Sequence, residues 1–182
     1  MAITQVPPAQ AGDMTLIKRA AFSNVAGTST TFDNTISTTY ETYVVVIERI
    51  FSENAETDDL QFQFRYAGPT TEAAGYFGQN FGAAYNASSM TFNQQSNVNQ
   101  FTMGSQSGTA AYPSAATLII NGAETDQERP RFYGSGTQGS NHLGTTTFAG
   151  IQDNARTYTG LLFKTSIGNI TGEIAIYGLA KS

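Results

Sequence analysis

The chain has 182 residues, no cysteine, no tryptophan, 18 glycines and 13% charged residues, with 9 Lys and Arg against 14 Asp and Glu for a net charge of −5. That length suits one domain with a single core. The absence of cysteine excludes disulfide scaffolds and thiolate metal sites, and the acidic balance argues against nucleic acid as a partner.

The opening Met1-Ala-Ile-Thr-Gln-Val-Pro-Pro8 has neither the basic start nor the apolar centre of a secretion signal, so synthesis in a cytoplasm is expected. Its proline pair makes residues 1–14 read as an extended arm ahead of one domain over 15–182. Thr15 to Phe22 and Ser29 to Phe32 are the first strand candidates. Tyr40 to Phe51 is rich in β-branched and aromatic residues, with Tyr43, Val45 and Ile47 on one face and Val44 and Val46 on the other. Such a strand is expected to be central and covered on both sides. Its Tyr43 to Ile47 run is the longest apolar stretch and falls far short of the roughly 20 residues of a spanning helix, so no membrane insertion is expected.

Leu60-Gln-Phe62-Gln-Phe64-Arg-Tyr66 alternates perfectly, placing four large side chains on one face of a strand and the polar ones on the other. Glu72 to Ala84 is the one stretch that tempts a helical reading. Its Gly75, Gly78 and Gly82 each cost about 1 kcal/mol in a helix interior, so it reads as a loop. Further strands are expected at Met90 to Phe92, Gln100 to Met103, Ala116 to Asn121, Arg131 to Tyr133, Thr145 to Ile151, Thr157 to Thr165 and Gly172 to Leu179, separated by turn signals such as Asn121-Gly122. With 25 threonines and no βαβ rhythm, the fold expected is an all-β antiparallel sandwich of jelly-roll type. An Ig-like sandwich is the alternative, without the Trp and paired Cys of true Ig domains.

Catalytic signals are sparse, and no enzymatic activity, metal or cofactor is expected. His142 is the only histidine, in a glycine-rich setting that suits a loop, which excludes multi-histidine metal sites. Gly134-Ser-Gly136 is a fragment of a phosphate loop without lysine or helix. Asp58-Asp59 and the group Glu124, Asp126 and Glu128 match neither an EF-hand loop nor a recognisable glycosidase pair, and read as solvated loop charge. The sequons Asn86-Ala-Ser88 and Asn169-Ile-Thr171 are short enough to arise by chance.

Charge placement is more informative. From Tyr66 through Ala123 the only charged residue is Glu72. The block reads either as polar loops or as a surface that faces other chains or a ligand, since interface centres deplete charge and keep aromatics. Candidate contacts are Tyr76, Phe77, Tyr85, Asn86, Asn93, Gln95, Asn97 and Gln100.

Gly12-Asp-Met-Thr-Leu-Ile17, Thr31-Phe-Asp-Asn-Thr-Ile-Ser-Thr-Thr-Tyr-Glu-Thr-Tyr-Val-Val-Val46 and the ending Ile170-Thr-Gly-Glu-Ile-Ala-Ile-Tyr-Gly-Leu-Ala-Lys-Ser182 resemble small virion structural proteins of tailed bacteriophages. In that family a strand follows a Phe, Ile, Thr-Tyr phrase, here Phe32, Ile36, Thr39 and Tyr40. The chain closes on an aliphatic strand with Tyr-Gly, here Ile174, Ile176, Tyr177, Gly178 and Leu179. The resemblance covers both ends and leaves about residues 67 to 150 unmatched. It implies a virion-surface module, either a tail fibre or fibre tip or a head-decoration (cement) protein. It further implies a homotrimer anchored to other capsid or tail proteins through the N-terminal arm. The alternative is a carbohydrate-binding adhesin that recognises host surface glycans through its Tyr, Asn and Gln loops.

Overall fold

The computed structural model describes residues 13–26, 30–53, 58–84, 90–106, 113–139 and 143–180. The expected arm up to residue 12, Tyr85, Asn86 and His142 lie outside them. The described residues form thirteen strands and no helix: β1 (Met14–Val25), β2 (Thr31–Phe32), β3 (Tyr40–Ser52), β4 (Asp58–Tyr66), β5 (Thr70–Thr71), β6 (Tyr76–Ala84), β7 (Thr91–Val98), β8 (Phe101–Gln106), β9 (Ser114–Asn121), β10 (Arg131–Gly139), β11 (Leu143–Gln152), β12 (Gly160–Thr165) and β13 (Ile170–Ala180).

These strands make two antiparallel sheets. The larger runs β1-β13-β3-β9-β10-β11-β6-β7; the smaller runs β2-β12-β4-β5, with β8 also paired to β4. The sheets share one core and give a β-sandwich-like arrangement. Period-two alternation places Tyr43, Val45, Ile47, Leu118, Ile120, Phe132, Ile174 and Ile176 of the larger sheet, and Phe62, Phe64, Phe101, Leu161 and Phe163 of the smaller, in that core. Phe62 lies at its centre. Its ring meets Phe132 of the opposite sheet edge-on at 4.9 Å, and Phe101 meets the same Phe132 at 4.6 Å, the T-shaped geometry that aromatic quadrupoles favour.

Glu72 to Ala84 departs from its expected loop, because Tyr76–Ala84 is a strand paired along its length with β11. Helix propensity said nothing against this. At Gly78 the absence of a side chain is required, since a Cβ there would stand 2.4 Å from the Ala149 carbonyl oxygen and 2.8 Å from the Phe101 ring. β10 and β11 use the same device reciprocally, with Phe132 opposite Gly150 and Phe148 opposite Gly134, each ring lying where a partner side chain would be.

The polar side of β4 is buried rather than solvated. Gln63 Nε2 donates to the carbonyls of Glu72 and Asn99 at 3.0 and 2.7 Å. Arg65 Nε donates to Asp33 at 2.5 Å, and its Nη1 donates to Thr71 at 2.9 Å. Buried polar groups need such partners, and β5 with the residue after it and the more distant Asp33 and Asn99 supply them.

β3 is central, between β13 and β9, as its composition predicts. The expected two-sided cover is not found. Val44 and Val46 are half-buried, with no described layer over them.

Candidate functional site

Most of the candidate contacts flank the end of the larger sheet formed by β6 and β7, and the structure divides them. Tyr76 is wholly buried, its ring parallel to Phe64 at 6.2 Å and its hydroxyl accepting the Phe64 N–H at 2.6 Å. Burial pushes this phenol well above the usual tyrosine range, against the opposing effect of that hydrogen bond. Gln95 is buried as well. Its carboxamide takes both backbone groups of Thr102, Oε1 accepting the N–H at 2.8 Å and Nε2 donating to the carbonyl at 2.9 Å.

Asn80 Nδ2 donates to the same carbonyl at 2.8 Å. These amides therefore stitch β8, in the smaller sheet, to the larger one. As contact residues Tyr76 and Gln95 are corrected to core residues, because each saturates a backbone group that would otherwise be buried without a partner. Asn97 and Gln100 are partly engaged, Asn97 Oδ1 accepting the Gly75 N–H at 3.2 Å and Gln100 Nε2 donating to Gln61 at 2.8 Å. Asn93 is exposed and Phe77 half-buried.

Glu72, the single charge of the long neutral block, is also withdrawn from the surface. It is 6% exposed, accepts the Tyr158 hydroxyl at 3.2 Å and faces Arg156 Nη1 at 3.4 Å. The Arg156 guanidinium stacks 3.9 Å from the centre of the Tyr66 ring, a cation–π placement. Burial and the adjacent carboxylate raise the Tyr158 pKa.

Two acidic residues read as solvated are not. Asp58 is 3% exposed and serves as an anion cap for the 166–168 turn. Its carboxylate accepts the N–H groups of Ser166 at 2.8 Å and Gly168 at 3.1 Å, with hydroxyls from Ser52 at 3.0 Å and from Ser166. Glu124 is likewise buried, whereas Asp126 and Glu128 are exposed. Among the described residues no three His, Cys, Asp or Glu side chains come together as a metal site would need.

The surface that the residue-by-residue reading missed is the outer face of the larger sheet. Following the strand register across it, Leu16 lies beside Tyr177, then Val44, Ile119, Tyr133, Ala149, Gln79 and Gln94. This row crosses all eight strands without a charge. Leu16 and Tyr133 are 50% and 49% exposed, and Phe92 on the next row is 62% exposed. Val46, Thr117, Ser135, Thr147 and Phe81 continue that next row. The charges of this face lie off that row: Arg19 pairs with Glu173 at 2.5 Å and Glu48 at 3.7 Å, and Arg131 is exposed at the start of β10. The doubly apolar Tyr43 to Ile47 run was the available signal, because its outward valines belong to this face.

No protein-family model matches the chain, and no curated protein matches it.

Proposed function

We propose that the chain is a non-enzymatic bacteriophage virion structural protein displayed on the particle exterior. It acts as a tail-fibre, fibre-tip or head-decoration module, works as a homo-oligomer, and attaches to other virion proteins through residues 1–12. The observation that carries the reading is the row on the outer face of the larger sheet that crosses all eight strands without a charge, a surface suited to contact with protein more than with water. The two ends of the chain support it through their resemblance to tailed-phage virion proteins.

A jelly-roll winding belongs to the same reading. It is supported by the repeated crossing of the core, with β2, β4, β5, β8 and β12 in the smaller sheet and the strands between them in the larger.

Mass spectrometry of purified particles from the phage that encodes the chain, combined with surface labelling of intact particles, tests the proposal. The chain is expected in stoichiometric amounts with labelled surface lysines. Its absence from particles would overturn the reading.

The adhesin reading keeps one favourable observation, the exposed Phe92 and Gln94 on one face of the edge strand β7, with Asn93 exposed on the other. A ring with an amide beside it offers an apolar surface and hydrogen-bonding groups to a sugar.

A further inference from the structure

We infer that two copies of this chain pack face to face through the outer surface of their larger sheets. The Leu16–Tyr177–Val44–Ile119–Tyr133 ridge of each copy would lie in a groove of the other. The inference deepens the homo-oligomer part of the proposed function and names the surface involved.

Shape is the first ground. Immediately beside the ridge the same face carries an open groove of about 420 Å³, lined in part by Val46, Thr117, Ser135, Thr145 and Thr147. The lining is mostly small side chains, threonine, serine, valine and alanine, with Glu48 at its β3 end, whereas the ridge holds two tyrosines and a leucine. Ridge and groove run in neighbouring rows of one surface. A twofold axis in the plane of that surface, parallel to the ridge, therefore sets each ridge into the partner's groove. Such a self-complementary patch is what an isologous contact requires. Sheets stacked in this way sit about 10 Å apart with their strands within about 30° of alignment.

Size is the second ground. Eight strands spaced by about 4.8 Å, carrying about seven residues each at about 3.3 Å, give a face on the order of 800 Å². A stable pair needs about 800 Å² from each partner.

Charge is the third. The ridge is neutral, and Arg19 is paired within the copy with Glu173 and with Glu48, which borders the groove at its β3 end, so that group is not desolvated as isolated charges on association. Arg131, exposed at the start of β10 in the row outside the ridge, lies at the rim of the contact. A second copy would also supply the outer cover over Val44 and Val46 that the strand's composition predicts. If copies also form rings of three, as the resemblance implies, two rings joined by this contact give six copies, so the assembly holds an even number.

Sedimentation equilibrium of the full chain tests the inference, with Tyr133→Lys to charge the ridge, Thr147→Arg to fill the groove, and Ile167→Lys as a control. Ile167 is 70% exposed in the 166–168 turn, off this face. Circular dichroism and a thermal melt check that each variant folds. The wild type and the Ile167 variant are expected to form dimers or hexamers. Each of the other two variants should weaken that assembly by roughly 30-fold or more, as loss of a central contact does. A wild-type monomer or trimer, or an even assembly that both folded variants retain, would overturn the inference. Particle incorporation is a separate readout. A chain that pairs through this face yet is absent from particles would overturn the proposed function and leave the pairing intact.

Discussion

The hydroxyl oxygen of Tyr76, in the larger sheet, accepts the backbone N–H of Phe64, in the smaller, at 2.6 Å across the core. Along one edge of β4 the partners are β8 over residues 58–62 and β5 over residues 65–66. Phe64 lies in the gap between them. A side chain from the opposite sheet closes that gap, so the tyrosine replaces a missing strand.

Tyr76→Phe leaves the buried Phe64 N–H without its acceptor and is expected to cost about 1–3 kcal/mol. For a chain of this size that corresponds to about 2–4 °C in melting temperature per kcal/mol. Tyr133→Phe, on the exposed face, should fall within about 0.5 kcal/mol of wild type. Thermal denaturation of both variants checks the pair.

Asp58→Asn is expected to destabilise by about 2–4 kcal/mol at neutral pH, because charge-assisted bonds to the 166–168 turn are lost. Burial alone would raise the Asp58 pKa, but the bonds from Ser166, Ser52 and the backbone of Asp59 and Gly168 outweigh it and hold the carboxyl below the usual range. The stabilisation is therefore complete above the ordinary aspartate pKa of about 3.9 and is lost as pH falls through the lower folded value. Urea denaturation at a series of pH values should show the gap between wild type and variant narrowing on acidification. A gap that does not change with pH would contradict this role.

Gly150→Ala would set a Cβ 2.6 Å from the Phe132 ring and should cost about 1–3 kcal/mol by overpacking. Combined with Phe132→Leu, the double variant should be more stable than the sum of the two single effects, because the second change removes the ring from the clash, although the Phe77 carbonyl oxygen, also 2.6 Å from that Cβ, stays. Additive losses in a double-mutant cycle would contradict the reciprocal glycine and phenylalanine arrangement.

These positions also mark how far the sequence is legible. The alternation of Leu60 to Tyr66 reveals a strand because period two is local. The all-β class likewise follows from threonine, glycine and turn signals spread along the chain. β6 is not legible, since its glycines look like breakers until the rings of Phe101 and Phe132 are brought against β6 and β11 from elsewhere in the sequence. β7 extends over Thr91–Val98, beyond Met90 to Phe92, because Asn-Gln-Gln-Ser-Asn carries no apolar alternation and its pairing comes from β6. The burial of Gln63 and Asp58 depends on partners 36 and 110 residues away in sequence. The candidate surface was visible only in the doubly apolar Tyr43 to Ile47 run, since the charge-poor block from Tyr66 to Ala123 holds Ile119 alone of its ridge. Its ridge joins residues from β1, β3, β9, β10 and β13, which only the register places side by side.

For a structural module, a glycan array probed with the purified chain should give no specific signal. The adhesin reading predicts specific binding, weakened at least tenfold by Asn93→Ala or Tyr85→Ala while the melting temperature is unchanged. That result would replace the structural role with recognition.

The most direct test of the account as a whole is an electron-microscopy reconstruction of the intact particle at a resolution that separates strands. The account predicts the two-sheet unit on the particle exterior, with the outer face of each larger sheet covered by a second copy. Particles lacking this unit, or bearing it with Tyr133 and Leu16 turned to open solvent, would contradict it.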